Sequence, residues 1–148
     1  MAWSVRRLSR GFTIIEMMIV VTIMAILISF GLPFFQKAIE QNNVDMAAAN
    51  LDTIFTAERL YYAQNRVFSD SLDSLENAGL LDPSFVRGVT GENSKMQYCI
   101  VADENSFTAN AARVNSSHWS GEISIDEQGN LAGEVVGTAG EHLVPVQL

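Results

Sequence analysis

The sequence predicts an α+β protein: one very long N-terminal helix followed by a small antiparallel sheet. Three observations predict it. From Gly11 to Gln36 a run of 26 residues carries a single charge, Glu16. From Gln36 to Gln64 apolar residues recur at helical spacing, and no glycine occurs between Pro33 and Ala78. Beyond residue 65, short strand-like segments alternate with clusters of turn-forming residues.

Size and composition narrow the class. The chain of 148 residues has room for one domain. Hydrophobic residues at 48% and charged residues at 18% argue against a disordered tail. A net charge of −8 argues against a general nucleic-acid binder, which presents a basic face to phosphates. The lone Cys99 cannot form an intramolecular disulfide, nor a zinc site by itself.

The first element is the apolar run. Met17 to Phe30 reads MMIVVTIMAILISF, with nothing more polar than Thr22 and Ser29. As a helix, the 24 residues from Phe12 to Phe35 are ~36 Å long, which exceeds the ~30 Å hydrocarbon core of a bilayer. A core helix of a soluble domain would carry a polar face, and this run has none. One transmembrane span is the expectation. Arg6, Arg7 and Arg10 precede the run, no acid precedes Glu16, and only Lys37 follows closely. The positive-inside bias then keeps the N-terminus cytoplasmic and sends the remainder outward. Without residues 1–11, 6 basic residues face 17 acidic ones, a net of −11. The run ends in GLPFFQK, which offers no A-x-A site for ordinary signal peptidase.

Glu16 is the anomaly. A carboxylate at the bilayer centre costs ~2.5–3.5 kcal/mol, and less near the surface, so such a residue has a partner or a task. Its surroundings suggest which. The string Arg10-Gly11-Phe12-Thr13-Ile14-Ile15-Glu16, after a short basic leader and before MMIVVTIMAIL, resembles the signal of type IV prepilins and type II secretion pseudopilins. The resemblance is close over residues 6 to about 40 and architectural thereafter. It implies cleavage by prepilin peptidase between Gly11 and Phe12 and N-methylation of Phe12. Glu16 then becomes the fifth residue, where that family carries its glutamate, and Pro33 matches a helix-bending proline beside Gly31. It also implies that Phe12, Thr13 and Glu16 serve filament assembly.

Each part has a physical reason. Gly11 lacks a side chain, so the backbone can enter a protease site in extended form. Removing residues 1–11 removes the charges of Arg6, Arg7 and Arg10, which tether the N-terminus to the cytoplasmic face. The new amine is cationic and needs an anion among apolar helices; the resemblance implies that Glu16 meets the amine of a neighbouring subunit. Desolvation offsets most of the gain from a buried pair, whereas mispairing leaves a charge uncompensated, so the pair would set register.

The second element continues the first. Val44, Ala47, Ala48, Leu51, Ile54, Phe55 and Tyr61 or Tyr62 fall on one helical face, with Asn42, Asp45, Asn50, Asp52 and Arg59 between them. A helix from Thr13 to Gln64 would be ~78 Å long, so its first half extends beyond the domain that its second half covers. A break into two helices at Pro33 is the alternative.

In residues 65–148, Ser69 or Asp70 can cap a short helix through Asn77, ended by Gly79. Leu80-Leu81-Asp82-Pro83 reads as a turn, and Gly88–Lys95 as a loop. Strand candidates are Gln97–Ala102, Phe107–Val114, Glu122–Asp126 and, more weakly, Leu131–Val136. These give an antiparallel meander of about 3–4 strands whose apolar face covers the second half of the long helix. That is the ladle shape the resemblance implies: leader 1–11, transmembrane and filament-core helix 12–35, amphipathic half 36–64, and globular head 65–148.

Catalytic patterns are absent from the sequence. His118 and His142 lie 24 residues apart without a second ligand at metal spacing. Cys99 reads as a packing residue within a strand. Asp126, Glu127 and Asn130 around Gly129 match no EF-hand loop and suit a hairpin turn. Trp119 beside Gly121 reads as packing at the domain edge. Asn115-Ser116-Ser117 matches a glycosylation sequon, and a polar loop accounts for it equally. No GxSxG, P-loop or dinucleotide fingerprint occurs. The expectation is neither an enzyme nor a metal or cofactor protein.

Two departures from the resembled family bear on subfamily. Cys99 alone cannot close the C-terminal disulfide loop of many major pilins, and the tail GTAGEHLVPVQL has only Glu141 to offer a pseudopilin calcium site. The resemblance implies a homo-oligomeric pilus-like filament. Its subunits would be extracted from the inner membrane by an assembly platform and its cytoplasmic ATPase, together with minor pilins or pseudopilins. A type II secretion pseudopilin is the alternative within the family. A single-span anchor presenting an acidic extracytoplasmic binding domain is the alternative of another class. A bare shaft with −11 per subunit is ill suited to direct DNA binding.

Overall fold

The computed structural model describes residues 11–103 and 105–146. It opens with α1 (Ile14–Asn65), a helix of 52 residues, followed by α2 (Leu72–Asn77) and α3 (Pro83–Thr90). Five strands complete it: β1 (Met96–Ala102), β2 (Phe107–Arg113), β3 (Trp119–Asp126), β4 (Leu131–Gly137) and β5 (His142–Leu143). They form one antiparallel sheet in the order β1-β2-β3-β4-β5, so every strand pairs with its neighbour in sequence. The fold is thus the predicted α+β arrangement, with five strands where three or four were expected. Helix α1 runs without interruption through Gly31 and Pro33, although proline has no N–H to donate to the preceding turn.

The chain divides into two compact units between Lys37 and Ala38. In the first, apolar side chains from Phe12 to Leu32 and at Phe34 and Phe35 are exposed all round the helix, Ile14 at 84% and Phe34 at 77%. The two hydroxyls of this stretch turn back onto the backbone: Thr22 Oγ1 donates to Met18 O and Ser29 Oγ to Ala25 O, each at 2.8 Å. The helix thereby meets its own side-chain polarity and presents an apolar surface, as a bilayer or a bundle of like helices requires.

The second unit has a conventional core. The predicted stripe of α1 is buried from Val44 through Ala47, Ala48, Leu51 and Ile54 to Ala57. The sheet contributes alternate residues: Met96 and Ile100 of β1, Phe107, Ala109 and Ala111 of β2, Ile123 and Ile125 of β3, Val135 of β4 and Leu143 of β5. Alanines are buried on both elements, which lets helix and sheet approach closely. An aromatic cluster closes one end. Phe107 lies 5.0 Å from Phe68 and 6.2 Å from Phe55 between ring centroids, and Tyr62 stacks on Phe68 at 4.5 Å.

Several expectations are corrected. The segment read as a turn followed by a loop forms α3, because Asp82 caps it and Pro83 fills its first position, where a missing N–H costs nothing. Asp82 Oδ1 accepts from Ser84 N–H at 2.7 Å and also from the Ser84 hydroxyl. The buried Val86 and Val89 hold α3 to the core, and the remaining loop is confined to 91–95. Helix α2 is capped by Ser71, not by Ser69 or Asp70; its Oγ accepts from Ser74 N–H at 3.3 Å. The helix ends at Gly79 as predicted, in the left-handed conformation (φ 71°), with Leu80 N–H returning to Leu75 O. Cys99 is exposed, because Met96 and Ile100 set the inward phase of β1 and Cys99 lies on the opposite phase. Strand β3 begins at Trp119, three residues before the predicted start, and β5 is additional.

The early start of β3 depends on glycine. Gly121 (φ 135°) and Gly133 (φ 100°) flank the paired Glu122 and Glu134 on β3 and β4. A Cβ on Gly121 would lie 2.3 Å from the Glu134 carbonyl oxygen, and one on Gly133 2.3 Å from that of Glu122. Each strand thus approaches the other at a point where only a residue without a side chain fits.

Candidate functional site

The residues singled out for processing and assembly lie at the start of α1. Gly11, Phe12 and Thr13 precede the helix, and Phe12 is 81% exposed. Arg6, Arg7 and Arg10 lie outside the described residues. A Cβ added at Gly11 would meet nothing within 4 Å, and the same holds at Gly31. The fold itself therefore makes no demand for glycine at either position.

Thr13 and Glu16 form a reciprocal cap. The Thr13 N–H and the Thr13 hydroxyl both donate to Glu16 Oε2 at 2.8 Å, and the Glu16 N–H donates to Thr13 Oγ1 at 3.2 Å. Threonine at the cap and glutamate three residues on is the capping box, which satisfies two backbone donors left without partners at a helix start. Glu16 therefore has a partner within its own chain, a role missed in reading it only as an assembly charge. The signal was present: Thr13-Ile14-Ile15-Glu16 is an [ST]-x-x-[DE] string before an apolar run. Both donors to the carboxylate converge on Oε2.

The other candidate residues are scattered over the second unit. His142 Nδ1 lies 3.0 Å from Glu134 Oε2, with both side chains largely exposed. His118 is exposed and its backbone carbonyl accepts from Thr138 N–H at 2.8 Å. Asp126 organises the β3–β4 turn: Oδ1 accepts from Gln128 N–H at 3.0 Å and Asn130 N–H at 2.8 Å, and Oδ2 from Asn130 Nδ2 at 2.9 Å. Asn115 is exposed with φ 58°. Trp119 is half-buried and packs against the core. Among the described residues, no group of three or more His, Cys, Asp or Glu is placed to hold a metal.

The Thr–Glu cap opens a helix long and apolar enough to cross a membrane. Comparison with known proteins narrows the class. Residues 6–32 match the prokaryotic N-terminal methylation motif. The chain is similar to the type IV major pilin protein PilA of Myxococcus xanthus, with 37% identity over 62 residues, 42% of this chain and 28% of that protein. It is also similar to the type IV wide pilus major component PilA4 of Thermus thermophilus. That match has 28% identity over 103 residues, 69% of this chain and 79% of that protein. The chain thus spans under a third of the length of the Myxococcus relative and most of the Thermus one. The methylation motif and these relatives support a likeness to type IV pilins, and the apolar helix supports a membrane-anchored precursor.

Proposed function

We propose that this chain is a structural subunit of a type IV pilus-like filament. It is made as a single-span membrane precursor, cut by prepilin peptidase between Gly11 and Phe12, and methylated on Phe12. Helices 12–35 then pack into the filament core. The observation that carries the reading is the coincidence of the methylation motif with a helix whose apolar side chains are exposed all round. Such a surface is covered either by lipid or by identical helices, and a subunit exchanges the first for the second. Glycine at position 11 has no steric role in the chain's own fold, which supports a requirement imposed by a protease.

The capping box supports a two-stage role for Glu16. In the precursor, Oε2 caps its own helix. After cleavage, Oε1 is offered to the amine of a neighbouring Phe12, so capping and pairing use different oxygens. Loss of helical bonds around Gly31 and Pro33 would lengthen the subunit during assembly. The partners in this reading are further copies of the chain, the prepilin peptidase, the inner-membrane platform with its ATPase, and minor pilins.

The N-terminal mass of the protein, in sheared extracellular material and in membranes, tests the proposal. A chain beginning at methylated Phe12 in the sheared fraction is expected. Processed protein confined to membrane and periplasm would replace the pilus by a pseudopilus. An intact leader in a host with active prepilin peptidase would overturn the proposal in favour of a plain anchor.

A further inference from the structure

Glu58 lies on the core-facing side of α1, between the buried Ala57 and the half-buried Tyr61, and is itself completely buried. Its Oε2 accepts from the Ser69 N–H at 3.0 Å, and its Oε1 has no hydrogen-bond partner among the described residues. A buried ionised carboxylate normally recruits a cation or several donors. This one has a single neutral donor.

The charge that acts on it is acidic. From the α1–α2 turn comes Asp70, whose charge opposes ionisation of Glu58. From the β1–β2 hairpin comes Asp103, which lines one cleft with Tyr61, Ser69, Asp70 and Ser74. Helix α2 adds the exposed Asp73 in its first turn, and the adjacent cation of α1, Arg59, sits 5.6 Å over the Phe55 ring. Burial, reinforced by Asp70 and opposed by the Ser69 N–H, pushes the Glu58 carboxyl up to about 7.

The bond that Glu58 makes is the first of a series. Ser69 Oγ accepts from Ser71 N–H at 3.2 Å and donates to Ser71 O at 2.8 Å. Ser71 Oγ in turn lies 2.8 Å from Ser74 Oγ and caps α2 through Ser74 N–H. The series runs from the long helix, through the turn that begins at the left-handed Arg66 (φ 62°), to the start of α2.

We propose that Glu58 is a proton-controlled latch: neutral, it holds the Ser69–Ser71–Ser74 series closed onto α1, and ionised, it opens that turn to water. The step is a plain ionisation, in which the carboxyl proton passes to solvent and the carboxylate is hydrated as Ser69 moves away. The latch makes the joint between the long helix and α2 firm in mildly acidic surroundings and loose in alkaline ones. It is independent of the assembly reading above, because no residue of the apolar segment takes part.

NMR on the labelled full-length chain in detergent micelles tests it. The Glu58 carboxyl carbon and the Ser69 and Ser74 amides should titrate with one shared midpoint near neutrality. Glu58→Gln keeps the shape and an uncharged acceptor, and should leave both amides insensitive to pH between 5.5 and 8.5. Hydrogen exchange of residues 66–74, corrected for the intrinsic pH dependence, should rise by up to about tenfold per pH unit between the ordinary carboxylate range and the midpoint, level off above it in the wild type, and stay flat in the variant. A Glu58 midpoint in the ordinary carboxylate range would overturn the proposal, as would a neutral midpoint that leaves Ser69 and Ser74 unmoved. Should the variant fail to fold, the wild-type titration alone decides.

Discussion

Arg113, the last residue of β2, forms an ion pair through Nε with Glu40 Oε1 of α1, and both side chains are only 6% exposed. The pair is well supported. Asn43 Nδ2 donates to Glu40 Oε2 at 2.5 Å, and Arg113 Nη1 donates to Lys95 O at 3.0 Å and to Val114 O. Beside Glu40, Gln41 Nε2 donates to Val144 O at 2.9 Å, and about a turn further on Val146 N–H donates to Asp45 Oδ1 at 3.3 Å. Polar contacts from β2 and from the C-terminal segment thus grip α1 around the start of its buried stripe at Val44.

Breaking that pair on one side should be more damaging than removing it altogether. Glu40→Ala or Arg113→Ala leaves a buried charge uncompensated, a loss of about 3–5 kcal/mol, whereas a well-packed apolar pair of similar volume approaches neutrality. Denaturant unfolding of the full-length chain in detergent, with both single variants and a Glu40→Leu/Arg113→Met double variant, checks this order. A double variant worse than either single would refute it.

Gly121→Ala and Gly133→Ala should each destabilise the sheet. The backbone conformation alone costs about 1–3 kcal/mol with a side chain present, and the overlap with the facing carbonyl adds to it. Gly11→Ala, where nothing lies within reach, should leave thermal stability unchanged while blocking leader removal. Melting temperatures of the three variants, read beside N-terminal mass, separate the fold's requirement from the protease's.

Glu16→Gln should retain the Thr13 bonds, since an amide oxygen still accepts, and should insert in the membrane normally. Its yield of sheared filaments should nevertheless collapse if a charge is needed for the neighbour's amine. Glu16→Ala should lose both the charge and about 1 kcal/mol of helix capping. Normal filament yield from Glu16→Gln would rule out pairing by charge.

The stability of the head should depend on pH through Glu58. Its carboxyl is raised from 4.5 to about 7 in the folded chain, first by burial and then by Asp70, against the Ser69 N–H. The folded state therefore holds the proton more tightly than the unfolded one. The stability this contributes is full below about pH 4.5 and is lost as pH rises through about 7, a change of about 3 kcal/mol. Asp82 acts in the opposite sense. The Ser84 hydroxyl and N–H hold it below the usual carboxylate range, so its contribution is lost only as the solution becomes strongly acidic. Unfolding midpoints at pH 5 and pH 8 should differ in the wild type and converge in Glu58→Gln.

Much of this was legible in the residues. The apolar run, the stripe from Val44 to Ile54 and the alternation in β2 and β3 repeat a period over many positions, and burial follows that period. The box Thr13-x-x-Glu16 and the cap Asp82-Pro83 are equally local, but the same residues also read as a membrane charge and a turn. Local sequence thus determined the long helix, its apolar half and its match to the N-terminal methylation motif, since each depends on neighbours within one or two turns.

What the tertiary structure alone decided depends on distant partners. The phase that turns Cys99 outward is set by Met96 and Ile100 reaching the core, because the mixed residues of β1 read plausibly either way. The need for Gly121 and Gly133 arises only once β3 and β4 are in register. The burial of Glu40 with Arg113, and of Glu58 under Ser69, joins residues 73 and 11 positions apart. A charged residue on a helix reads as a solvent-facing one until the chain that covers it is in place, and covering it is what makes its charge consequential.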